Sequence, residues 1–357
     1  MMAIGKSAPF SHAPTSVTRA MTLVMWALAP ATLFNFWLFG WPAILLFATT
    51  IVACVGIEAI CLQASGKEVG FTLRDGSAIL TGWLLAMSLP PWAPWWTGLV
   101  GAIAAIAIAK QAYGGVGQNL FNPAMVARVA LLISFPVVMT TWVSPAPLFS
   151  PHAPTLAQAV GITFGGQSLD GMTSATALGH VKTELTRGIS VLESSAQLPA
   201  LSDVVMGLKA GSLGETSAVL ILLGGLFLLL RRIISWHIPV ALVAGVMLPA
   251  AIGHALDPAR YAGPLFHLFS GATFLGAFFI ATDYVTSPVS KLGKLVFGFG
   301  CGLLTWVIRT YAGYPEGMAF AVLLMNALTP IIDQYTRPRV FGRARDGKPL
   351  AFNGSIE

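Results

Sequence analysis

Apolar runs close to the length of a membrane-spanning helix recur along the whole chain, separated by short polar or glycine-rich segments. A helix needs about 20 apolar residues to cross the hydrocarbon core of a bilayer. The runs predict ten spans, near residues 20–39, 42–62, 76–90, 95–110, 123–142, 216–231, 236–254, 265–281, 292–309 and 318–334. We therefore expect an all-α polytopic membrane protein with about ten transmembrane helices.

The spans fall into two groups of five, separated by a long polar interval. An odd number of spans in each group gives the two halves opposite orientations, as in inverted repeats. Gly76-Ser77-Ala78 in the first group and Gly271-Ala272-Thr273 in the second favour this interpretation. The predicted parts are an N-terminus, a first five-helix half, a loop, a second five-helix half and a tail, at residues 1–19, 20–142, 143–215, 216–335 and 336–357.

Composition supports a membrane location. Of 357 residues, 55% are hydrophobic and only 10% are charged, whereas soluble domains carry about 25% charged residues. A chain with so few charges cannot cover a globular surface with polar groups, so much of its outside must face lipid. The stretch Met1 to Arg19 lacks the apolar core and cleavage site of a signal peptide, so we expect no cleaved leader.

The basic residues indicate an orientation. If the N-terminus is cytoplasmic, 14 of the 20 Lys and Arg residues lie at cytoplasmic ends and five on the opposite side, with Arg128 inside a span. This asymmetry predicts that both termini are cytoplasmic and that residues 143–215 form an extracytoplasmic loop. The net charge of +6 does not indicate nucleic-acid binding, because the basic residues lie at the ends of apolar runs.

No metal site is predicted. Cys54, Cys61 and Cys301 lie inside apolar segments without a Cys-x-x-Cys pair, and the histidines lack zinc-ligand spacing. The sequence Gly298-Phe299-Gly300-Cys301-Gly302 lies inside an apolar run and follows no strand. It therefore favours close helix packing rather than a dinucleotide site.

Several charged residues fall within or beside the predicted spans, where a charge costs about 2.5–3.5 kcal/mol. They are Glu58, Arg128, Glu215, Asp283, Glu316 and Asp333. One hypothesis is that Asp283, Glu316 and Asp333 form an ion or proton route. Simpler local roles are also open for the acidic residues. Glu58 can snorkel to the nearby helix end, Asp283 can cap the chain that follows it, and Asp333 can pair with Arg337 one turn on.

The interval 143–215 is rich in Gly, Ser, Thr and Pro, so we expect a solvated connection for most of its length. One stretch differs. Asp170 is followed by small residues and hydroxyls, which predicts an exposed turn where another protein can reach Thr176. From the residues alone, glycosylation, phosphorylation, acylation and no modification all remain open.

The sequence from Asp170 to Thr176 resembles the flavinylation motif of the Rnf and Na+-NQR respiratory complexes, Asp-x-x-Ser/Thr-Gly/Ser-Ala-Thr. The resemblance implies FMN attached to Thr176 through a phosphoester, made by a dedicated flavin transferase. Asp170 and Thr173 would be the other motif positions, and Ser174 stands where the family often has Gly.

Further stretches extend the resemblance. Gly114 to Ala124 is similar to the family pattern Gly-Gly-x-Gly-x-Asn-x-Phe-Asn-Pro-Ala, and it is not a Walker loop because no Gly-Lys-Ser/Thr follows. Asn122 and Pro123 have the residue types of a helix cap and first helical position. Other stretches that resemble the same family lie at residues 75–78, 89–91, 214–216, 281–288 and 314–317. The resemblance suggests a cofactor-lining surface at Gly115, Gly117, Asn119, Asn122, Glu215 and Thr216, and a second, non-covalent flavin, riboflavin.

The resemblance implies a membrane subunit that transfers electrons and couples them to Na+ or H+ transport in the bacterial inner membrane, without bond-making catalytic residues. Implied partners are the A, B, C, E and G subunits of an Rnf complex, with the FMN-bearing G subunit as electron donor or acceptor, the flavin transferase and membrane lipids. The short N-terminus is closer to the Rnf members than to NqrB, the quinone-side member of Na+-NQR, which remains an alternative. A non-redox channel or permease is a further alternative, but it leaves the Asp170–Thr176 motif unexplained.

Overall fold

The computed structural model describes residues 16–167, 173–195, 198, 200–314 and 316–337. The first part contains the helices α1 (Val17–Ala64), α2 (Val69–Leu73), α3 (Ser77–Ser88), α4 (Trp95–Ala102, continued by a π-helical segment Ile103–Ile108 and a 3-10 turn Gln111–Tyr113), α5 (Pro123–Ser134) and α6 (Pro136–Thr140).

The interval that follows contains β1 (Trp142–Val143), α7 (Leu156–Gly165), β2 (Thr173–Ser174), α8 (Ala177–Thr186), α9 (Val191–Ser195) and α10 (Leu201–Met206). The last part contains α11 (Ala218–Leu230), α12 (His237–Leu256), α13 (Pro264–Phe269), α14 (Thr273–Leu275, continued by a π-helical segment Gly276–Ile280), α15 (Lys291–Tyr311) and α16 (Met318–Tyr335).

The 48-residue helix α1 is two helices that fold back on each other at Gly40. Gly40 has φ 71°, a conformation that only glycine adopts readily. The rings of Phe36 and Phe47 lie 5.1 Å apart, whereas eleven residues of straight helix would separate them by about 16 Å. Trp83 confirms the reversal, because it donates to Thr32 on one limb and packs against Phe47 on the other. The two limbs agree with the predicted spans 20–39 and 42–62.

Among the described residues, five helical segments are long and apolar enough to cross a membrane: Val17–Ala64, Trp95–Tyr113, His237–Leu256, Lys291–Tyr311 and Met318–Tyr335. Four shorter apolar helices accompany them, at Ser77–Ser88, Pro123–Ser134, Leu156–Gly165 and Ala218–Leu230. The predicted helical membrane protein is confirmed, while the count of ten spans stays a prediction. The predicted span 265–281 is not continuous, because Gly271 has φ 64° and separates α13 from α14.

Helices α12 and α15 pack closely through glycines. A Cβ atom on Gly298 would lie 2.6 Å from the carbonyl oxygen of Ile238, and one on Gly302 would collide with the carbonyl of Leu242. Small residues four apart let two helix backbones approach in this way. The structural role predicted for the Gly298–Gly302 sequence is confirmed.

The prediction of a solvated connection over 143–215 was wrong for part of that interval. Helix α7 packs against α1 and buries Ala159, Ile162 and Thr163. The short strands β1 and β2 pair antiparallel, with Trp142 opposite Ser174 and Val143 opposite Thr173. The strand pair attaches the segment before Thr176 to the end of the first half.

Candidate functional site

Thr176 is the N-cap residue of α8. Its backbone is extended, and its hydroxyl oxygen accepts a hydrogen bond of 3.0 Å from the backbone N–H of Gly179. The residue is 7% exposed, in contrast to the exposed turn that the sequence predicts. Ser174 is half-buried in β2, and the backbone of Thr173 pairs with Val143 in the neighbouring strand. Asp170 lies outside the described residues.

A cavity of about 620 Å³ lies beside α8. Leu178, Val181 and Lys182 line it from α8, and Tyr261 and Arg309 line it from the opposite side. The Lys182 ammonium donates to the carbonyl oxygens of residues 309, 312 and 314, at the end of α15. Burial lowers the pKa of Lys182. Lys182 therefore attaches the helix that begins at Thr176 to the second half of the chain.

Aromatic and basic groups form the outer part of this cavity. The hydroxyls of Tyr261 and Tyr311 lie 3.3 Å apart, and the Arg260 guanidinium lies 5.6 Å from the centre of the Tyr261 ring. His267 and Phe266 also line the cavity. The combination of apolar wall, aromatic rings and cations suits a planar, anionic or electron-rich ligand.

The glycine-rich turn forms as its sequence suggests. Gly114, Gly115 and Gly117 all have positive φ, and the Lys67 ammonium donates to the carbonyl oxygen of Gly114 at 2.9 Å. The side-chain oxygen of Asn122 accepts from the backbone N–H of Met125, so the predicted cap of α5 is confirmed.

Three predicted site residues meet at a second, smaller cavity of about 110 Å³. They are Asn119, Asn122 and Asp283, and most of the other lining residues are apolar. Gly115 and Gly117 do not line this cavity. Asp283 accepts from the backbone N–H of Val285 and from the Thr286 hydroxyl, so it also stabilises the turn that follows it.

A buried ion pair between Glu58 and Lys110 was not predicted. Lys110 Nζ lies 2.7 and 2.6 Å from the two carboxylate oxygens of Glu58 and 2.7 Å from Ser77 Oγ. Gln111 also donates to Glu58. Glu58 is fully buried, so the snorkelling hypothesis for it was wrong. No local pattern signals this pair, because Lys110 ends an apolar run and has the position of an interfacial charge.

A second ion pair joins Arg309 of α15 to Glu316. Arg309 Nη2 lies 3.1 and 2.9 Å from the two carboxylate oxygens of Glu316. The carboxylate also accepts from the backbone N–H groups of Ala272, Gly317 and Met318. Glu316 is thus held by five donor contacts from three parts of the chain.

Asp333 does not pair with Arg337 as one hypothesis suggested. Its carboxylate accepts from the backbone N–H of Val289 at 3.1 Å, and the ion pairs within the described residues do not include Asp333. The structure does not bring Asp283, Glu316 and Asp333 to one place. Asp283 lines the 110 Å³ cavity, Glu316 lines another, and Asp333 lines neither.

The segment before α11 is inserted among helix ends. Its Gly214 N–H donates to the carbonyl oxygen of Met87, near the end of α3, and its Thr216 hydroxyl donates to the side-chain oxygen of Asn35. Glu215 and Thr216 are both buried. Glu215 has a neutral donor, the Ser212 hydroxyl at 2.8 Å.

Arg128 of α5 completes this interior region. It is 6% exposed, its guanidinium lies 5.8 Å from the centre of the Trp142 ring, and its Nη1 atom has no hydrogen-bond partner among the described residues. Arg128, Ser212, Glu215 and Glu316 all line a cavity of about 20 Å³. The sequence identified Arg128 as a charge inside a span, but its partners come from distant segments.

Comparisons with known proteins agree with the sequence motifs. Residues 4–342 match the sequence profile of the NQR2, RnfD, RnfE family. A protein of Halorhodospira halophila, named as the D subunit of an ion-translocating oxidoreductase complex, is 52% identical over 346 residues, which cover 96% of each chain.

Two further relatives carry the same name. The protein of Stutzerimonas stutzeri is 54% identical over 337 residues, covering 94% of this chain and 95% of its own. That of Escherichia coli strain SE11 is 43% identical over 351 residues, covering 95% and 98%. With a match over nearly its whole length, the chain belongs to the NQR2, RnfD, RnfE family.

Proposed function

We propose that this chain is the membrane subunit of an Rnf-type ion-translocating oxidoreductase and that it carries electrons through FMN esterified to Thr176. Relatives at 43–54% identity over nearly the full length are named as the D subunit of such a complex. The role is electron transfer and ion coupling rather than bond-making in this chain. The observation that carries the flavin part is the position of Thr176 at the N-terminus of α8.

A phosphoester fits that position. The first N–H groups of a helix lack partners within the helix, and the helix dipole favours negative charge there. A phosphate on Thr176 would meet the N–H of Gly179, which already donates to the hydroxyl oxygen. Because Thr176 is 7% exposed, the transferase must act on a conformation in which the Thr176 hydroxyl is more accessible.

The cavity beside α8 supports the same proposal. Its volume of about 620 Å³ lies within the roughly 300–1,000 Å³ of sites for small organic ligands. Lys182 lies about 9 Å along the helix from Thr176, by the rise of 1.5 Å per residue. A bound flavin supplies one- and two-electron chemistry. The residues Lys182, Arg260 and Tyr261 would orient it and favour its anionic reduced form.

A second, non-covalent riboflavin has less support. The cavity at Asn119, Asn122 and Asp283 has about 110 Å³, well below the usual range for an organic ligand. The residues present there therefore do not fit an isoalloxazine ring in this conformation, and we assign no step to it.

The finer features of the proposal follow from the sequence. They are ten spans in two inverted halves, cytoplasmic termini, an inner-membrane location, coupling to Na+ or H+, and assembly with the A, B, C, E and G subunits. Ion coupling would use the membrane potential, where one charge is worth about 2.3 kcal/mol per 100 mV.

The flavin proposal is tested by co-expressing the chain with a flavin transferase and inspecting a denaturing gel for flavin fluorescence. We expect a fluorescent band for the unmodified sequence, none for Thr176→Ala, and an unchanged band for the control Thr183→Ala, an exposed threonine of α8 outside the motif. A dark band for the unmodified sequence, or a fluorescent Thr176→Ala band, would overturn the proposal.

A further inference from the structure

Two glutamates near Arg128, the buried Glu215 and the part-buried Glu316, have very different surroundings. Glu316 receives five donor contacts, including two from the cation Arg309. Glu215 is 7% exposed, and within the described part of the chain its carboxylate accepts one hydrogen bond, from the neutral hydroxyl of Ser212. Hydrogen bonds from a cation and from backbone N–H groups stabilise the ionised form of a carboxylate. The Glu316 carboxylate is therefore surrounded by donors, two of them from a cation, whereas the Glu215 carboxylate has one neutral donor among the described residues.

Arg128 is a cation that interacts electrostatically with Glu215, but the two side chains do not form an ion pair. The guanidinium interacts electrostatically with both Glu215 and Glu316. None of the ion pairs among the described residues includes Arg128, and its Nη1 atom is a buried donor without a hydrogen-bond partner in that part of the chain. A buried donor left unsatisfied costs about 1–3 kcal/mol, more when it is charged.

The cavity between these groups has the size of one water molecule. Its volume is about 20 Å³, and a site needs roughly 10–15 Å³ and two to four polar partners to hold a water. The lining residues Arg128, Ser212, Glu215 and Glu316 offer both donors and acceptors. One water here would satisfy Arg128 Nη1 and give Glu215 a proton donor and acceptor inside the protein.

We propose that Glu215 and a water in this cavity form a proton-binding site, in which the Glu215 carboxylate takes up one proton to become a carboxylic acid. In this step the Glu215 side chain gains one proton and loses one negative charge, and no electron is transferred. The inference stands on the geometry at Glu215 and does not require flavin at Thr176.

The charged groups that face Glu215 come from several elements. Arg128 projects from α5, Glu316 precedes α16, and Lys209 lies in the segment after α10 and donates to the carbonyl of Phe269. Arg309 of α15 acts through its contact with Glu316. Removing a positive charge such as Arg128 disfavours the ionised carboxylate, so protonation of Glu215 would persist to higher pH.

The test is infrared spectroscopy of the purified complex that contains this chain, recorded as the pH is varied in H2O and in D2O. We expect a carboxylic-acid C=O band that shifts on deuteration, titrates with pH and is absent in Glu215→Gln. Asp333→Asn, which changes an acidic residue away from the cavity, should leave the band intact. In Arg128→Gln the titration midpoint should move to higher pH.

A second measurement covers the case in which Glu215→Gln fails to assemble. Labelling the unmodified complex with 13C-carboxyl glutamate should shift the same band, and Arg128→Gln should still move its midpoint. A band that survives in Glu215→Gln, that disappears in Glu316→Gln alone, or that is insensitive to both the label and Arg128→Gln would overturn the proposal.

Discussion

The buried ion pair Glu58–Lys110 and the part-buried ion pair Glu316–Arg309 have a similar arrangement. Each lies beside a glycine with positive φ that precedes a short helix, Gly76 before α3 and Gly271 before α14. In each pair the basic residue lies near the end of an apolar helical segment, and its acidic partner comes from another segment. The similarity fits the inverted repeat that the sequence predicts for the two halves.

The pairs differ in what surrounds them. Lys110 uses its three donors on Glu58 and Ser77, and the side chains of the pair are only 3% and 1% exposed. Arg309 spreads its donors over Glu316 and nearby oxygens and lines the 620 Å³ cavity, while Glu316 lines the 20 Å³ cavity. The Glu58–Lys110 pair is shielded from solvent and acts as a structural staple, because it joins two helical segments of the first half. The second pair contributes one residue to each of two cavities.

The largest effect is expected from breaking the Glu58–Lys110 pair. Lys110→Met would leave Glu58 as an uncompensated buried charge, which costs about 3–5 kcal/mol. The thermal midpoint of the purified chain in detergent should fall sharply, and the double variant Lys110→Met with Glu58→Gln should recover most of the loss. Arg74→Gln, outside the pair, serves as control. A single variant as stable as this control would show that the pair is not a staple.

The two glycines allow a matched comparison. At Gly76 an added Cβ would lie 3.6 Å from Met25 Cε, an ordinary contact, so Gly76→Ala adds mainly the strain of a left-handed backbone, about 1–2 kcal/mol. At Gly271 the Cβ would collide with the Glu316 carboxylate and lie 2.6 Å from Arg309 Nη2. We expect Gly271→Ala to lower the thermal midpoint at least twice as much. Equal losses would contradict the close contact at Glu316.

The most local effect is expected at Lys182, whose ammonium attaches α8 to the end of α15. Lys182→Met removes three hydrogen bonds to carbonyls at the end of α15, a net loss of about 1–3 kcal/mol. Hydrogen exchange should speed up for the backbone amides of α8 and stay unchanged in the middle of α15. Unchanged exchange in α8 would mean that other contacts hold this helix.

The parts that the sequence predicted well are those with local causes. The apolar runs located most of the long helices, the break between the predicted spans 20–39 and 42–62 coincides with the kink at Gly40, and Asn122-Pro123 marked the start of α5. Helix α7 had a local signal that was missed. Thr155 and Gln158 have the spacing of a capping box, and the structure forms it.

The parts that could not be predicted depend on distant segments. Glu58 and Lys110 are 52 residues apart, and Asn35 meets Thr216 across 181 residues. No periodicity along the chain encodes such contacts. The burial of Thr176 also depends on tertiary packing. The motif therefore identifies Thr176 as a candidate site, but it does not predict how exposed that residue is.

FMN on Thr176 is the feature on which the proposed function depends most. The most direct measurement is mass spectrometry of the chain isolated from membranes that also contain the flavin transferase. Cleavage after Arg128 and Lys182 releases a peptide that contains Thr176. We expect this peptide to carry the mass of an FMN phosphoester and its fragments to assign that mass to Thr176. A peptide that is unmodified throughout, or modified at another residue, would contradict the proposed function.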